Sequence, residues 1–559
     1  MNKSNFKLIF SAIILLMITA CDSMLEEKNY GNPTVEDMVK QEKNVSLLVG
    51  QAYADVKWLH DHWGYWGVNA LVSDECVCPV RNPGKHWSDG GYWSNLNTHN
   101  WDAFGDAFKN IWNTTISGAV LCNKVLKTLD TNKATMSEAV YNQYVSELEV
   151  LRTYYYFNLF DCFGRVPYLE EFKEEAVPLS EPNVVWSKLV NSLEKNAPNL
   201  PVVNDGNRAG NYGRVTQGFA YALLARLYLN AESYGCTPQN VQVTGINNVT
   251  DFYTKAAASC QKVITSGSYS IEQDFFKNFA IENQDSKENI FVIVEDGNAD
   301  FDIRSSGSMS NKLRMTMLTL HYSQQTTYNL IEKPWNGFAA RPKFIQRYAE
   351  TDVRGPGNEG LGTRNTKRWG WFIGKVYGED GSTQLQDDNN SPVEIVPEIT
   401  SLSNATWNDG ARLFKYEIDK QKKYAYAEND FVLFRYADVL YMNEEAILRG
   451  GSGTSAINTS DFQRIRKRAF AYDSDGGASK VYTSLTLDEL ANERGREFAW
   501  ENIRRRDLIR FGKFNDPNYI DYVSATENFR KWFPIPFSVI EKSPRDSEGK
   551  PLWTQNEGY

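Results

Sequence analysis

Six of the chain's 15 tryptophans, at 58, 63, 66, 87, 93 and 101, fall within residues 58–101, where an even spread would place about one. Tryptophan and tyrosine offer flat apolar faces with polar edges, and on exposed loops those faces suit ligands that are themselves amphipathic. Sugars are such ligands: axial C–H groups make one ring face apolar, while the hydroxyls need polar partners. The stretch 74–102 carries both sets, with Asp74, Glu75, Arg81, Asp89, Asn95 and Asn97 set among Trp87, Tyr92, Trp93 and Trp101. Trp335, Trp369, Trp371 and Trp407 form a second aromatic group. At least two of Trp87, Trp93, Trp335, Trp369 and Trp371 are expected to contact ligand. Trp58, Trp63 and Trp101 are expected to plug loops onto helices.

Other chemistries are poorly served. The chain holds no H-E-x-x-H, no G-x-x-x-x-G-K-[ST] and no G-x-S-x-G, so the common zinc-protease, P-loop and hydrolase signatures are missing. His60 and His62, with His86 and His99 nearby, read as hydrogen-bonding loop histidines rather than metal ligands. Asp473-x-Asp475-Gly476 and the acidic stretch 379–388 lack the twelve-residue calcium pattern and read as solvated loops. Cys76-Val77-Cys78 has neither zinc spacing nor room for an unstrained mutual disulfide. Cys122, Cys162 and Cys260 fall in helical patterns as free buried thiols. No cofactor, metal or catalytic residue is expected. The dense ERGREFAWENIRRRDLIRFG segment puts Glu493, Glu497 and Glu501 on one helix face, with Glu501 four residues from Arg505. It reads as an ion-pair network fastening the C-terminal helices.

The elements that must position these residues are mostly helical. Apolar residues recur at helical spacing over 104–125, 144–159, 215–231, 251–264 and 431–449. Thr34 before Val35-Glu36-Asp37 signals a helix start, with the pattern running towards Trp58. Thr486-x-x-Glu489 is a capping box opening a helix to about Arg510. Glu288–Val294 reads as a short strand. Gly, Pro, Asn and Asp punctuate residues 60–102 and predict long loops there. The expectation is a mainly α scaffold of helix pairs with two aromatic-bearing insertions, at about 58–103 and 296–415, and long insertions of this kind are usually functional.

The N-terminus reads as an export signal. Lys3 and Lys7 precede an apolar run from Leu8 to Ile18, too short for a lasting membrane span, and small residues lead into Cys21. This is the pattern of a lipoprotein signal over residues 1–20, with Cys21 lipidated as the new N-terminus. Residues 21–33 form a short acidic tether, and 34–559 one domain. The net charge of −10 becomes −12 without Lys3 and Lys7, and no basic cluster supports nucleic-acid binding.

Several segments together resemble the SusD/RagB family of Bacteroidetes outer-membrane lipoproteins. They are CDSMLEE, LRTYYYFNLFDCFGRVPYLEE at 151–171, GRVTQGFAYALLARLYLNAE at 213–232, FIQRYAETDVR, NDFVLFRYADVLYMNEEAILRGG, the ERGREF segment and the closing IPFSVI…QNEGY. Glu557 stands where the family more usually has proline, and YMNEEA departs from the usual small residues. The resemblance implies a SusD-like α-fold of tetratricopeptide-like helix pairs carrying loop insertions. It implies a non-catalytic glycan-binding protein facing the cell exterior on the outer membrane. Its partner would be a SusC-like TonB-dependent transporter, to which it presents oligosaccharide or polysaccharide as a lid. It also implies Trp87, Trp93 and Trp335 as stacking platforms, joined by Trp369, and Asp74, Arg81 and Arg368 as hydroxyl-binding residues. Two alternatives stay open: a peptide-binding RagB-like lipoprotein, and a surface glycoside hydrolase, which needs two carboxylates about 5–10 Å apart.

Overall fold

Helical periodicity in the sequence is realised as a series of packed helical hairpins. In a computed structural model of the chain, the described residues are Val39 and 42–559 apart from 83–86, 174, 176, 296–313, 331, 357–369, 419, 421–427 and 525–526. The leader, Cys21, the tether, the helix start at Thr34, His86, Arg368 and Trp369 thus lie outside the described residues.

Among the described residues from 42 onwards, three short helices come first, α1 (Glu42–Gln51), α2 (Ala54–Leu59) and α3 (Tyr65–Leu71). After α4 (Tyr92–Asn97) come two long helices, α5 (Asp106–Thr131) and α6 (Glu138–Phe163). They are joined by a short connection and pack on one another, so they form a hairpin. Every residue of α6 from Val150 to Phe163 is buried, which marks a helix enclosed on all sides. Further helices are α7 (Pro182–Asn196), α8 (Gln217–Leu229), α9 (Val249–Thr265), α10 (Tyr436–Leu448), α11 (Ser460–Ala469), α12 (Leu487–Glu497) and α13 (Arg504–Arg510). Helix α7 packs between α6 and α8, α8 pairs with α9, and α9 with α10, giving the expected side-by-side helix pairs. Local caps set their starts: Thr216 accepts the Phe219 N–H, and Asn248 and Asp251 form a capping box.

The strands are few and short. Antiparallel pairs join β1 (Asn289–Ile293) to β6 (Phe431–Arg435), β2 (Gly370–Phe372) to β5 (Arg412–Phe414), and β3 (Gly374–Lys375) to β4 (Glu394–Ile395). The fold is therefore mainly α with a few short strands. No helix among the described residues is long and apolar enough to cross a membrane. All six cysteines from Cys76 to Cys260 are buried free thiols.

Three local expectations are corrected. Residues 60–102 hold α3 and α4 rather than loops alone. The helix expected over 431–449 starts only at Tyr436, because Phe431–Arg435 pairs with β1 as a strand. The helix expected from Thr486 to Arg510 is two helices, since Trp500 and Asn502 take positive φ of 62° and 68° between them. Tertiary partners hold that break. The Trp500 N–H donates to Glu75 Oε2 at 3.0 Å, its indole N–H to the Glu75 carbonyl at 3.2 Å, and Trp66 Nε1 to the Trp500 carbonyl at 2.9 Å. Only half of the capping box forms: Thr486 Oγ1 accepts the Glu489 N–H at 3.2 Å, while the Glu489 carboxylate takes Tyr482 and Arg496.

The expected C-terminal ion network is present, with different partners. Arg435 reaches Glu288 at 2.6 Å, Glu501 at 2.8 Å and Glu497 at 2.9 Å. Arg468 meets Glu288 and Glu497, and Arg354 meets Asp352, Glu493 and Glu497. Glu501 pairs with Arg435 and Lys415, whereas Arg505 goes to Asp161 on α6. The anticipated Glu501–Arg505 pair fails because the chain breaks between α12 and α13.

Candidate functional site

Three segments converge on one aromatic cluster. The first is the turn between α2 and α3, where Asp61 Oδ1 accepts the Trp63 N–H at 2.9 Å and the Asp61 carbonyl accepts from Gly64 and Gly67. This Asx-type turn sets out His62 and Trp63. The second runs from Trp87 into α4. Asp89, Gly90 and Gly91 have φ of 46°, 65° and 88°; this left-handed path is easy only for the two glycines, and it delivers Tyr92 and Trp93. The third is Trp335–Phe338, whose backbone is tied to Met317 and Leu318 by N–H···O bonds of 2.6–2.8 Å. Gly337 is needed here, since a Cβ would lie 2.5 Å from the Trp87 ring.

Trp93 is the centre of the cluster and has no exposure. Its ring centroid lies 4.5 Å from Trp63, 4.8 Å from Tyr92 and 5.5 Å from Trp87, and its indole N–H donates to Asp89 Oδ2 at 2.9 Å. Trp63, Trp87 and Tyr92 pack against it, Trp335 packs on Trp87, and all four are half-buried. Trp87 and Trp335 sit 5.1 Å apart at 44°, and Trp63 stacks on Tyr92 at 5.1 Å. His62 stands edge-on to Trp87 and to Trp335, at 5.5 and 5.7 Å. Exposed polar side chains on these segments and beside them include Asp89, Asn110, Glu332 and Lys333. Such a surface stacks an apolar ring face and leaves hydroxyl partners at its rim.

The residues expected to do this divide sharply. Trp87 and Trp335 are brought together with part of their rings open. Trp93 is corrected from platform to buttress, because a ring with no exposed surface cannot stack on a ligand. Asp74 is corrected likewise: it is buried and gripped by Arg504 at 2.6 and 2.7 Å and by Arg347. Burial alone would raise its carboxyl, but the two guanidinium groups outweigh that and hold it well below the usual range. Arg81 is 2% exposed and donates only to backbone carbonyls, those of Asn336, Thr406, Asp409 and Gly337. Desolvation lowers its pKa to about 10. It joins the first aromatic insertion to the second rather than meeting a ligand. Trp371 is buried, with its indole N–H on Tyr348. Trp101 plugs the fold as expected. Trp63, expected to do the same, joins the open rings, as does Tyr92. His62 and Trp63 lie in the same aromatic run, but the contact of His62 with Trp335 joins segments hundreds of residues apart in the chain.

Two other surface clefts offer less. One of about 390 Å³ is lined by residues of α1, α2 and β1 together with Tyr53, Glu147 and Arg214. Its Glu147 is already held by Arg214 and by Tyr53. One of about 690 Å³ lies at the C-terminus around Arg165, Trp532 and Asn556, where Arg165 is consumed by Thr554, Gln555 and Asn556. Among the described residues no group of three His, Cys, Asp or Glu side chains is placed to hold a metal.

Comparison with known proteins places the fold. Residues 287–559 match the model of the SusD family, and residues 69–229 match a second model described as starch-binding, associating with the outer membrane. The starch-binding protein SusD of Bacteroides thetaiotaomicron is 26% identical over 443 residues, 74% of this chain and 72% of that protein. Among solved structures, surface glycan-binding protein A from Bacteroides thetaiotaomicron aligns with a TM-score of 0.68 at 21% identity, covering 93% of this chain and 100% of its own. A structure of a protein of that name from the same organism in complex with laminarihexaose aligns with a TM-score of 0.68 at 22% identity, covering 92% and 99%. A SusD superfamily protein from Parabacteroides distasonis matches with a TM-score of 0.68 at 17% identity, covering 93% and 99%. The family matches fall on both sides of the chain, over residues 69–229 and 287–559, and the solved structures share its helical scaffold: the chain belongs to the SusD family.

Proposed function

We propose that this protein captures oligosaccharide or polysaccharide at the cell surface and passes it to a SusC-like TonB-dependent transporter in the outer membrane. The observation that carries the reading is the set of half-buried rings Trp63, Trp87, Tyr92 and Trp335, the first three packed on buried Trp93 and the last on Trp87. Flat apolar faces held rigid at the surface lower the ordering cost of binding a ring-shaped ligand. The names of the relatives, a starch-binding protein and glycan-binding proteins, support the ligand class. Arg368 and Trp369 remain candidate contacts on sequence grounds. The lipid on Cys21 would hold residues 34–559, acting as one domain, to the outer leaflet, and two or more acyl chains anchor stably where one does not. Binding through a few open rings is expected to be weak, roughly micromolar to millimolar. No catalytic role is proposed.

The test is affinity electrophoresis of the chain lacking residues 1–21 in gels containing laminarin, amylopectin, mannan or arabinan. Retardation by one polymer class, lost in Trp335→Ala, supports the reading. Mobility unchanged in every gel, together with binding of peptides, would replace it with peptide capture.

A further inference from the structure

His62 is placed in the aromatic cluster in a way that packing alone does not require. Its side chain is 10% exposed, and its ring meets Trp87 and Trp335 at 70° and 68°. A residue present only to fill this space would be served by phenylalanine, without the cost of desolvating two ring nitrogens. The two nitrogens have different surroundings. Nδ1 is buried and lies 2.5 Å from Asp61 Oδ1, in ion-pair contact although off-line for a regular hydrogen bond. A bare nitrogen facing a carboxylate oxygen at that separation would be repelled, so the proton belongs on Nδ1. Nε2 is then the nitrogen left for other work. It is not among the buried polar atoms without a partner, and no described residue hydrogen-bonds to it.

We propose that His62, oriented by Asp61, binds ligand: its Nε2 hydrogen-bonds a hydroxyl of a sugar stacked on Trp335 and Trp87. This rests on the glycan reading of the platform and adds its polar contact. The nearness of His62 to both indoles suits the role: the imidazole centroid lies 5.5 Å from that of Trp87 and 5.7 Å from that of Trp335, and it stacks on neither. Charged groups that face His62 are Asp61 on its own turn and Asp89 from the loop before α4. A hydroxyl both donates and accepts, so neutral Nε2 accepts from it and a protonated Nε2–H donates to it. The contact is therefore retained in both charge states. Asp61 is a positioning residue in this scheme.

The experiment compares His62→Phe, His62→Gln and Trp335→Ala with the parent chain lacking residues 1–21 in the same laminarin, amylopectin, mannan and arabinan gels. His62→Phe keeps the ring and loses both nitrogens, and an affinity loss of about 3–10-fold is expected. His62→Gln places an amide near Nε2 and should recover most of it. As a second measurement on the unmutated chain, diethyl pyrocarbonate should acylate His62, and the bound polysaccharide should protect it, read by peptide mass spectrometry. Full affinity in His62→Phe alongside loss in Trp335→Ala, or a His62 whose acylation bound polysaccharide does not change, overturns the role of His62 and leaves the platform standing. No retardation of the parent chain in any gel removes the platform reading and this inference together.

Discussion

The C-terminal ion network and the aromatic platform are both built from residue types that read as functional, and they use them in opposite ways. In the network, Glu288, Glu493 and Glu497 have no exposure, and each meets at least two guanidinium groups. In the platform, four rings keep part of their surface open, and three of them pack on one buried indole. A buried charge must be compensated within the protein or the fold does not form, so a dense Glu/Arg run is turned inward. A half-open indole costs little in water, because its loss of apolar burial is partial and its N–H can find a partner at the edge. The lesson is that charge density marks the frame of this protein and aromatic density its candidate binding surface.

Breaking the network should give the largest effect. Arg435→Met leaves Glu288, Glu497 and Glu501 short of a cation and is expected to cost about 3–5 kcal/mol, read as a lowered urea midpoint or loss of soluble protein. Close behind, Trp93→Ala should cost about 3–5 kcal/mol of stability, as expected for a buried aromatic. Trp335→Ala should leave the urea midpoint nearly unchanged while weakening polysaccharide binding at least tenfold, about 1.4 kcal/mol. The reverse pattern, a stable Trp93→Ala that only loses binding, would put Trp93 back among the stacking faces.

The smallest effect separates the two regions by pH. At Glu497 in the network, and at Glu445 on α10, which pairs with Arg449 and Arg510, burial raises the carboxyl, but arginines outweigh it and bring both to about 2. Their stabilisation is complete above the ordinary glutamate range and is lost as pH falls from about 4.5 towards 2. Beneath the platform, burial pushes Glu75 up to about 8, with the Trp500 N–H opposing. The folded protein then holds an extra proton between about pH 4.5 and 8, so this group lowers stability as pH rises through that window. The slope is at most about 1.4 kcal/mol per pH unit. Glu75→Gln should flatten urea midpoints measured between pH 5 and 8 and leave the acid limb intact; an unchanged slope would show that Glu75 ionises normally.

The helix pairs were legible because α5, α6, α8 and α9 carry their apolar spacing locally, and α6, α8 and α9 their caps as well. The strand β6 was not: FVLFR fits a helix as well as a strand until β1 lies beside it. The break at Trp500 was hidden for the same reason, since its positive φ is held by Glu75 and Trp66 from the far end of the chain. Within the site, composition marked the aromatic insertion, and two of the stacking residues named from sequence, Trp87 and Trp335, are half-open and adjacent. It could not separate open rings from buried ones, nor free polar groups from committed ones. Asp74 and Arg81 look available in the sequence and are consumed by Arg504, Arg347 and a row of backbone carbonyls.

By itself, then, the sequence determined a helical scaffold, an aromatic-rich insertion and a dense ion network, because periodicity, caps and residue chemistry act over short range. Only the tertiary structure decided which indoles remain open, which charges are already spent and that His62 faces Trp87 and Trp335. Exposure and pairing are properties of neighbours in space, and here those neighbours come from segments up to several hundred residues apart.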